Sequence, residues 1–572
     1  MISLPQKIFV IILFFAFTLS SKCQKVPAFP GAEGFGKYSK GGRGGVVFFV
    51  SNLNDRGKGS LREAIEAEGP RIVIFEISGT IDLETSLVIE NPYISILGQT
   101  APFGGVSIRG NMFFIQTHDV IIRFLRLRPG DVNFGEENDW ASLDCIDIGK
   151  SDQFVYNIII DHCSLSWGID ENIGMGVNVF NVTIQNSIVS ENLHLNFRRP
   201  SNRSKGILVG FKTERISIIN NFFAHNYKRH PRLSNGGLAD VRNNIIYNPA
   251  YMGINLWNRQ GKPQEVNIVG NIFMPGPNTN FNKEISFWDP PIYIGKAFIE
   301  NNIGLNGDKN RDNWDMVEDA KSPRLPLTQE QKDNIRVFEE FANEVTYTKS
   351  FEEMFVFAEK YIGASLPFRD PVDSRVINDW QNGTGKIINS QNEVGGWPNL
   401  SNGLQRMYSF EFVDEEDKLN GLPNKWMEFY NILPGQENDD LNSNGYTVIE
   451  EYLNGTNPRS TEPPSWRDVF KYWGGAAITG NLSESMTFNQ NFPNPFTYTT
   501  TIRFSVKNKG RVTISIYDLK GRIVTTLVNT ELSNDEYEVI WKPDSYLKGG
   551  IYLAHISYND NHDSILMLYK KE

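Results

Sequence analysis

Three cysteines are all that the 572 residues contain. That excludes the disulfide framework that staples many small secreted folds. Cys145 and Cys163 are either one pair or, as we expect, two small buried hydrophobes. Histidine is also sparse, seven in all, and His194 has no partner pattern for a metal or a triad. No G-x-S-x-G elbow occurs, so an α/β-hydrolase nucleophile is absent. After the first stretch of the chain no apolar run reaches the roughly 20 residues a bilayer requires, and no transmembrane segment is expected. No useful amphipathic helix interrupts residues 70–305, which disfavours βαβ units. Positive charge is in deficit: 56 Lys and Arg against 67 Asp and Glu leave a net charge of −11. Nucleic acid is therefore a poor partner, and an acidic polymer could bind only at a local basic patch or through a bridging cation.

What is present begins with a leader. Lys7 precedes an apolar run at 8–19, followed by Ser20 and Ser21, so residues 1–23 read as a signal peptide and the mature protein as exported. A lipid anchor at Cys23 is the rival reading, but Lys22 is poorly suited to precede one.

From about residue 70 to 305 short β-branched runs recur, among them RIVIFEI (71–77), NIIIDHCSLS (157–166), NVTIQNSIVS (181–190) and EVNIVGNIF (265–273). Each run is followed by Asn or Gly, and each unit can bury its inward face only by stacking on its neighbours. Asn221, Asn244, Asn271 and Asn302 end successive runs at similar positions, which predicts a hydrogen-bonded ladder of side chains. Residues 24–405 thus read as an all-β stack. Peripheral helices are expected at 320–375, where 327–345 and 350–363 have helical periodicity behind Thr and Ser caps.

Residues 406–460 are acidic. Asp440, Asn442, Asn444, Gly445, Tyr446 and Glu451 fit the EF-hand loop, in which alternate oxygen donors and a distal glutamate converge on Ca²⁺. The upstream half from Glu416 has Lys418 and Met427 where ligands would fall. A linker at 461–486 leads to 487–572, whose alternating strands predict a small antiparallel β-sandwich.

Three clusters carry chemistry. Asp144, Asp147, Asp161, Asp170 and Glu171 fall on neighbouring units, where carboxylates can converge on one Ca²⁺. Arg198, Arg199, Arg203, Lys205, Lys212, Arg215, Lys228, Arg229 and Arg232 form a local basic field suited to a polyanion. Within it lies the tight run Lys228-Arg229-His230-Pro231-Arg232.

These stretches resemble polysaccharide lyase family 1, the pectate lyases. The resemblance spans about residues 27–275 and includes GSLREAI (59–65), ISILGQTAP (94–102), IRFLRLRPGD (122–131), DCIDI (144–148), IIIDHCSLSWGIDE (158–171), KGILVG (205–210) and NNFFAHNYKRHPRL (220–233). It implies a right-handed parallel β-helix with a groove on one long sheet, and β-elimination from a pectin-like polyuronate. It also implies Ca²⁺ at Asp144 and Asp170, substrate binding by Lys205 and Arg232, and Arg229 as the base. The family's second acid falls at Gly174 here, so Glu171 is expected in its place. Asp161 and His162 match a segment to which we give a structural role. Residues 487–572 resemble the C-terminal sorting domain of type IX secretion cargo, through NPF (494–496), YDLKGR (517–522), Trp541, GGIY (549–552) and Lys570-Lys571. That implies the type IX machinery as a partner and a secreted or outer-membrane-surface destination. The enzyme is expected to act as a monomer. A polygalacturonase-like hydrolase, working with paired carboxylates, and a non-catalytic glycan-binding solenoid are the rivals.

Overall fold

The computed structural model describes residues 25–473 except Phe103, 133–142, 195–202, Asn235, 258–262, 289–294, 322–324 and 401–420, and residues 486–571 except 489–490, 492, 494–495, 519–521 and 559–560. The leader with Cys23, Arg198 and Arg199, Glu416 and Lys418, and parts of the linker and of the NPF and LKGR motifs lie outside the described residues.

Each β-branched run becomes a corner of a coil. One turn passes through Val155–Asp161, Ser164–Ser166 and Glu171–Met175 before the next starts at Val179–Gln185. Among the described residues, successive turns align these strands into three long sheets. The first has ten parallel strands from Val46–Val50 to Lys296–Glu300. The second has ten, from Leu87–Ile89 to Leu325–Pro326, with only the last antiparallel. The third has eight, from Gly79–Asp82 to Ile272–Met274. Inward residues stack in register: Ile94, Val120, Ile158, Val182, Ile216, Ala239, Val266 and Ala297 form one buried column of the common core. This is a parallel β-helix.

The recurring Asn-Asn pairs have a two-part explanation. Asn220 and Asn243 take the left-handed corner after the first sheet, at φ +56° and +53°, which asparagine tolerates better than most residues. The second asparagine of each pair builds the ladder. Asn221 Nδ2 donates to Asn244 Oδ1 at 3.1 Å, Asn244 to Asn271 at 2.9 Å, and Asn271 to Asn302 at 2.9 Å. Asn313 ends the column, accepting from Asn302 at 2.8 Å.

Apolar cladding covers two faces. Helices Phe351–Lys360 and Pro371–Asn382 lay Met354, Phe357, Val376 and Trp380 on the third sheet. Segment 421–473 packs Trp426, Val448, Tyr452 and Trp473 on Ile72, Ile74 and Leu97 of the first. The predicted helix over 327–345 stops early: only Gln329–Ile335 is helical, behind a capping box at Thr328. Beyond it the chain runs extended against the first sheet: Arg336 pairs with Ala297, and the Phe341 backbone N–H and C=O both bond the Asn267 side chain, so those backbone groups are committed outside a helix. Cys145 and Cys163 are free and buried. The C-terminal strands form a three-stranded and a four-stranded antiparallel sheet around Phe496, Ile502, Ile516 and Trp541. Among the described residues no helix is long and apolar enough to cross a membrane.

Candidate active site

The second sheet carries the charged clusters. Parallel pairing fixes who meets whom: Asp147 lies opposite Gly174, Glu171 opposite Lys205, and Leu208 opposite Arg232. Asp144 sits just before the Ile146–Ile148 strand, where its Oδ1 accepts the Glu171 backbone N–H at 2.9 Å. The carboxylates of Asp144, Asp170 and Glu171 offer ligand atoms that all lie within 4.8 Å of one another. Three acids this close, two of them buried, are costly without a cation. Burial first, then Asp147 and Asp170, drive the Asp144 carboxyl well above its ordinary range, while Lys205 and Arg229 pull it back. The donor set, all carboxylate oxygen, suits a hard divalent ion.

At Gly174, where the resemblance leads one to expect an acid, any side chain would push aside the Asp144 carboxylate. A Cβ there would stand 2.4 Å from Asp144 Oδ2. The carboxylates of Asp144 and Asp147 border that position, their nearest atoms 2.4 and 3.6 Å from it.

The bases converge on the same spot. Lys205 Nζ is ion-paired with Asp170 and lies 3.4 Å from Glu171 Oε1, and Arg229 Nη1 is ion-paired with that same glutamate oxygen. Arg203, a member of the basic field to which the resemblance gives no role, approaches Asp170 at 4.0 Å. Arg229 holds a left-handed backbone at φ +69°, unusual for a side chain of its size and a recurrent mark of functional positions. Burial lowers its guanidinium to about 10, against the opposing pull of Asp170 and Asp144. Arg232, one strand further, lays its guanidinium 3.7 Å from the Trp257 ring centre. Asp147, a member of the acidic cluster to which the resemblance gives no ligand role, faces the same sheet surface and is pushed up to about 6 by burial.

Asp161 and His162 lie on the first sheet and its corner, away from this cluster. Asp161 accepts from Arg123 at 2.8 Å, Gln185 at 2.8 Å and Asn186 at 2.9 Å, and His162 stacks on Phe124 at 4.8 Å. Those contacts satisfy a structural role.

His230, beside Arg229, is fully buried with Nδ1 3.0 Å from the Met252 carbonyl, and burial lowers it to about 4. It therefore stays neutral in the folded chain where an unfolded histidine, near 6.5, takes a proton. Its contribution is present above pH 6.5 and is lost as pH falls toward 4, by about 3 kcal/mol. Melting curves across that window should show His230→Phe losing less stability on acidification than the wild type. Parallel losses would refute this.

In the expected EF-hand loop Gly445 turns at φ +94°. Asp440 receives the backbone N–H of Asn444 at 3.1 Å and of Gly445 at 2.9 Å. Asn442 and Asn444 both reach Glu451 Oε1, at 3.0 and 2.7 Å. Glu451 projects from helix Val448–Asn454, and burial pushes it up to about 7.

Residues 490–567 match the secretion system C-terminal sorting domain. The protein is thus cargo of type IX secretion, destined for the cell surface or beyond. The chain is 30% identical over 440 residues to a probable pectate lyase C of Aspergillus fumigatus, covering 75% of this chain and 94% of that protein. It is 31% identical over 445 residues to the Aspergillus flavus counterpart, at 76% and 94%. Among solved structures it is similar to Jun a 1, the major allergen from cedar pollen, with 19% identity, a TM-score of 0.42, and 58% and 92% of the two chains covered. The identity to these two fungal relatives, over most of both chains, makes the protein a polysaccharide lyase. The chain belongs to the pectate lyase family.

Proposed function

We propose that the protein cleaves polygalacturonate-type pectin by calcium-assisted β-elimination on the second sheet. The observation that carries this reading is the meeting of Asp144, Asp170 and Glu171 with Lys205 and Arg229 at one place. Asp144, Asp170 and Glu171 would hold Ca²⁺. Bound there, the ion would draw charge from a uronate carboxylate and so acidify the hydrogen on C5. Carboxylates committed to a cation leave Lys205 and Arg229 without their present partners, free to face substrate. Lys205 and Arg232 would hold the uronate carboxylate by charge-assisted hydrogen bonds. Arg229 would take the C5 proton. The C5–H pair becomes the C4–C5 double bond, and the C4 oxygen departs and is protonated. Arginine is rarely a base; burial and a strained backbone support that role for this one.

Polygalacturonate should yield products with a C4–C5 double bond, followed by ultraviolet absorbance. Reducing ends without that absorbance would favour a hydrolase instead.

We also propose a structural Ca²⁺ held by Asp440, Asn442, Asn444, the Tyr446 carbonyl and Glu451. The sequence spacing and the convergence of both asparagines on Glu451 support it. Saturating calcium should then raise the unfolding free energy by about 3 kcal/mol. Glu451→Gln should abolish that part of the gain, and an unchanged calcium response in that variant would rule the site out.

A further inference from the structure

Residues 25–45, ahead of the first strand, form a strap across the outer face of the first sheet. The N–H groups of Glu33, Phe35 and Gly42 donate to outward side chains of that sheet: Gln185 at 2.9 Å, Ser217 at 3.0 Å and Ser95 at 2.9 Å. Ala28 and Phe29 pack on Ile121 and Ile159. The strap has two moorings. Lys37 is paired with Glu344 at 2.8 Å. Arg43 donates from Nε to both carboxylate oxygens of Glu450, at 2.8 and 2.9 Å, and from Nη2 to the Pro27 carbonyl at 3.0 Å. One guanidinium thus ties the strap to itself and to helix Val448–Asn454.

That second mooring is built on the 440–451 loop. Arg43 lies 5.6 Å from the centre of the Tyr446 ring. Val26 fills the space beside Gly445, where a Cβ would stand 2.4 Å from Val26 Cγ2. Glu450 and Glu451 are consecutive residues of one seven-residue helix. A helix that short does not hold itself; its order comes from what its side chains grip. Asn454 accepts from Arg123 of the first sheet at 3.0 Å, Glu450 grips the strap, and Glu451 grips the loop through Asn442 and Asn444. A hard cation shared by Asp440 and Glu451 would draw these two acids together and fix the helix. Without it they repel one another across the loop.

We propose that calcium in this loop governs the strap: bound, it pins residues 25–45 to the first sheet, and removed, it lets them open ahead of the rest of the chain. This rests on the structural calcium proposed above and names what that ion controls. The full chain is digested with limiting trypsin, in calcium or in chelator, and the fragments are weighed. Cleavage after Lys37 or Lys40 should be about tenfold faster in chelator, because a protease reads the population of the locally open form. Glu451→Gln should be cut at the fast rate in calcium as well, and in the strap alone. Arg43→Gln keeps every calcium ligand and should still be cut fast at both lysines in saturating calcium; slow cleavage there would overturn the proposal. Asp144→Asn, altered at the cleavage site, should keep the protection, and its loss would assign the effect to the other ion and overturn the proposal too. If calcium raises the melting temperature of Asp144→Asn but leaves strap cleavage unchanged, the strap switch falls and the loop site stands. If calcium changes neither in that variant, the loop site falls and the switch with it.

Discussion

Arg229→Ala is expected to fold normally and to lose about a thousandfold in turnover on polygalacturonate, the scale of a positioned proton acceptor. The side chain makes its ion pair with Glu171 at the rim of the acidic cluster, so its removal leaves the stacked core intact. Its guanidinium lies near 10. Below that value the neutral, proton-accepting form grows tenfold with each pH unit, so the wild-type rate should climb toward about pH 10. Arg229→Lys should retain some activity and move that rising limb to lower pH, since an ordinary lysine titrates near 10.4 before burial lowers it. A flat profile between pH 7 and 9, or an alanine variant as fast as the wild type, would remove Arg229 from the reaction.

Removing divalent ions should be comparably severe. Excess chelator is expected to suppress formation of unsaturated ends by more than about a hundredfold, with recovery on adding Ca²⁺, because the carboxylate-held ion supplies charge stabilisation worth several kcal/mol. Asp144→Asn tests the site rather than the solution. Asp144 shares its pocket with Asp170 and Glu171 and lies where Gly174 leaves space. Losing one of three charges should raise the calcium concentration for half-maximal rate by about tenfold or more. Activity indifferent to chelator would instead support a metal-free lyase, with Asp144 as an anchor for the Glu171 backbone.

The parts of this arrangement legible in the sequence are those governed by local rules repeated turn after turn. β-Branched runs announced the strands, and recurrent asparagines announced both the corners and the ladder. Asp144, Asp170, Glu171, Lys205 and Arg229 lay in motifs dense enough to be named before any coordinates. What depended on distant pairing was not legible. Arg128 is buried between Asp370 and Asp373, at 2.5 and 2.7 Å, from a segment some 240 positions away. Helix Pro371–Asn382, which supplies Asp373, went unread although Asp370, Pro371 and Gly383 are good start and stop signals. The stretch after Ile335 has helical periodicity, yet its backbone is taken up by Ala297 and the Asn267 side chain of the first sheet, partners the local sequence does not reveal. That the Asp144 carboxylate occupies the space beside Gly174 is likewise a fact about two strands, invisible in either alone.

One detail at the end of the coil bears on how such a molecule survives outside the cell. A pile of parallel strands finishes in an unpaired rim, and a rim of that kind invites another chain to extend it. Here Val337 donates its N–H to the Ala297 carbonyl at 3.0 Å, and the short Leu325–Pro326 strand runs antiparallel against Val317–Asp319. Proline presents no N–H to a newcomer. The terminal turn is thereby blunted against extension by a strand of another chain.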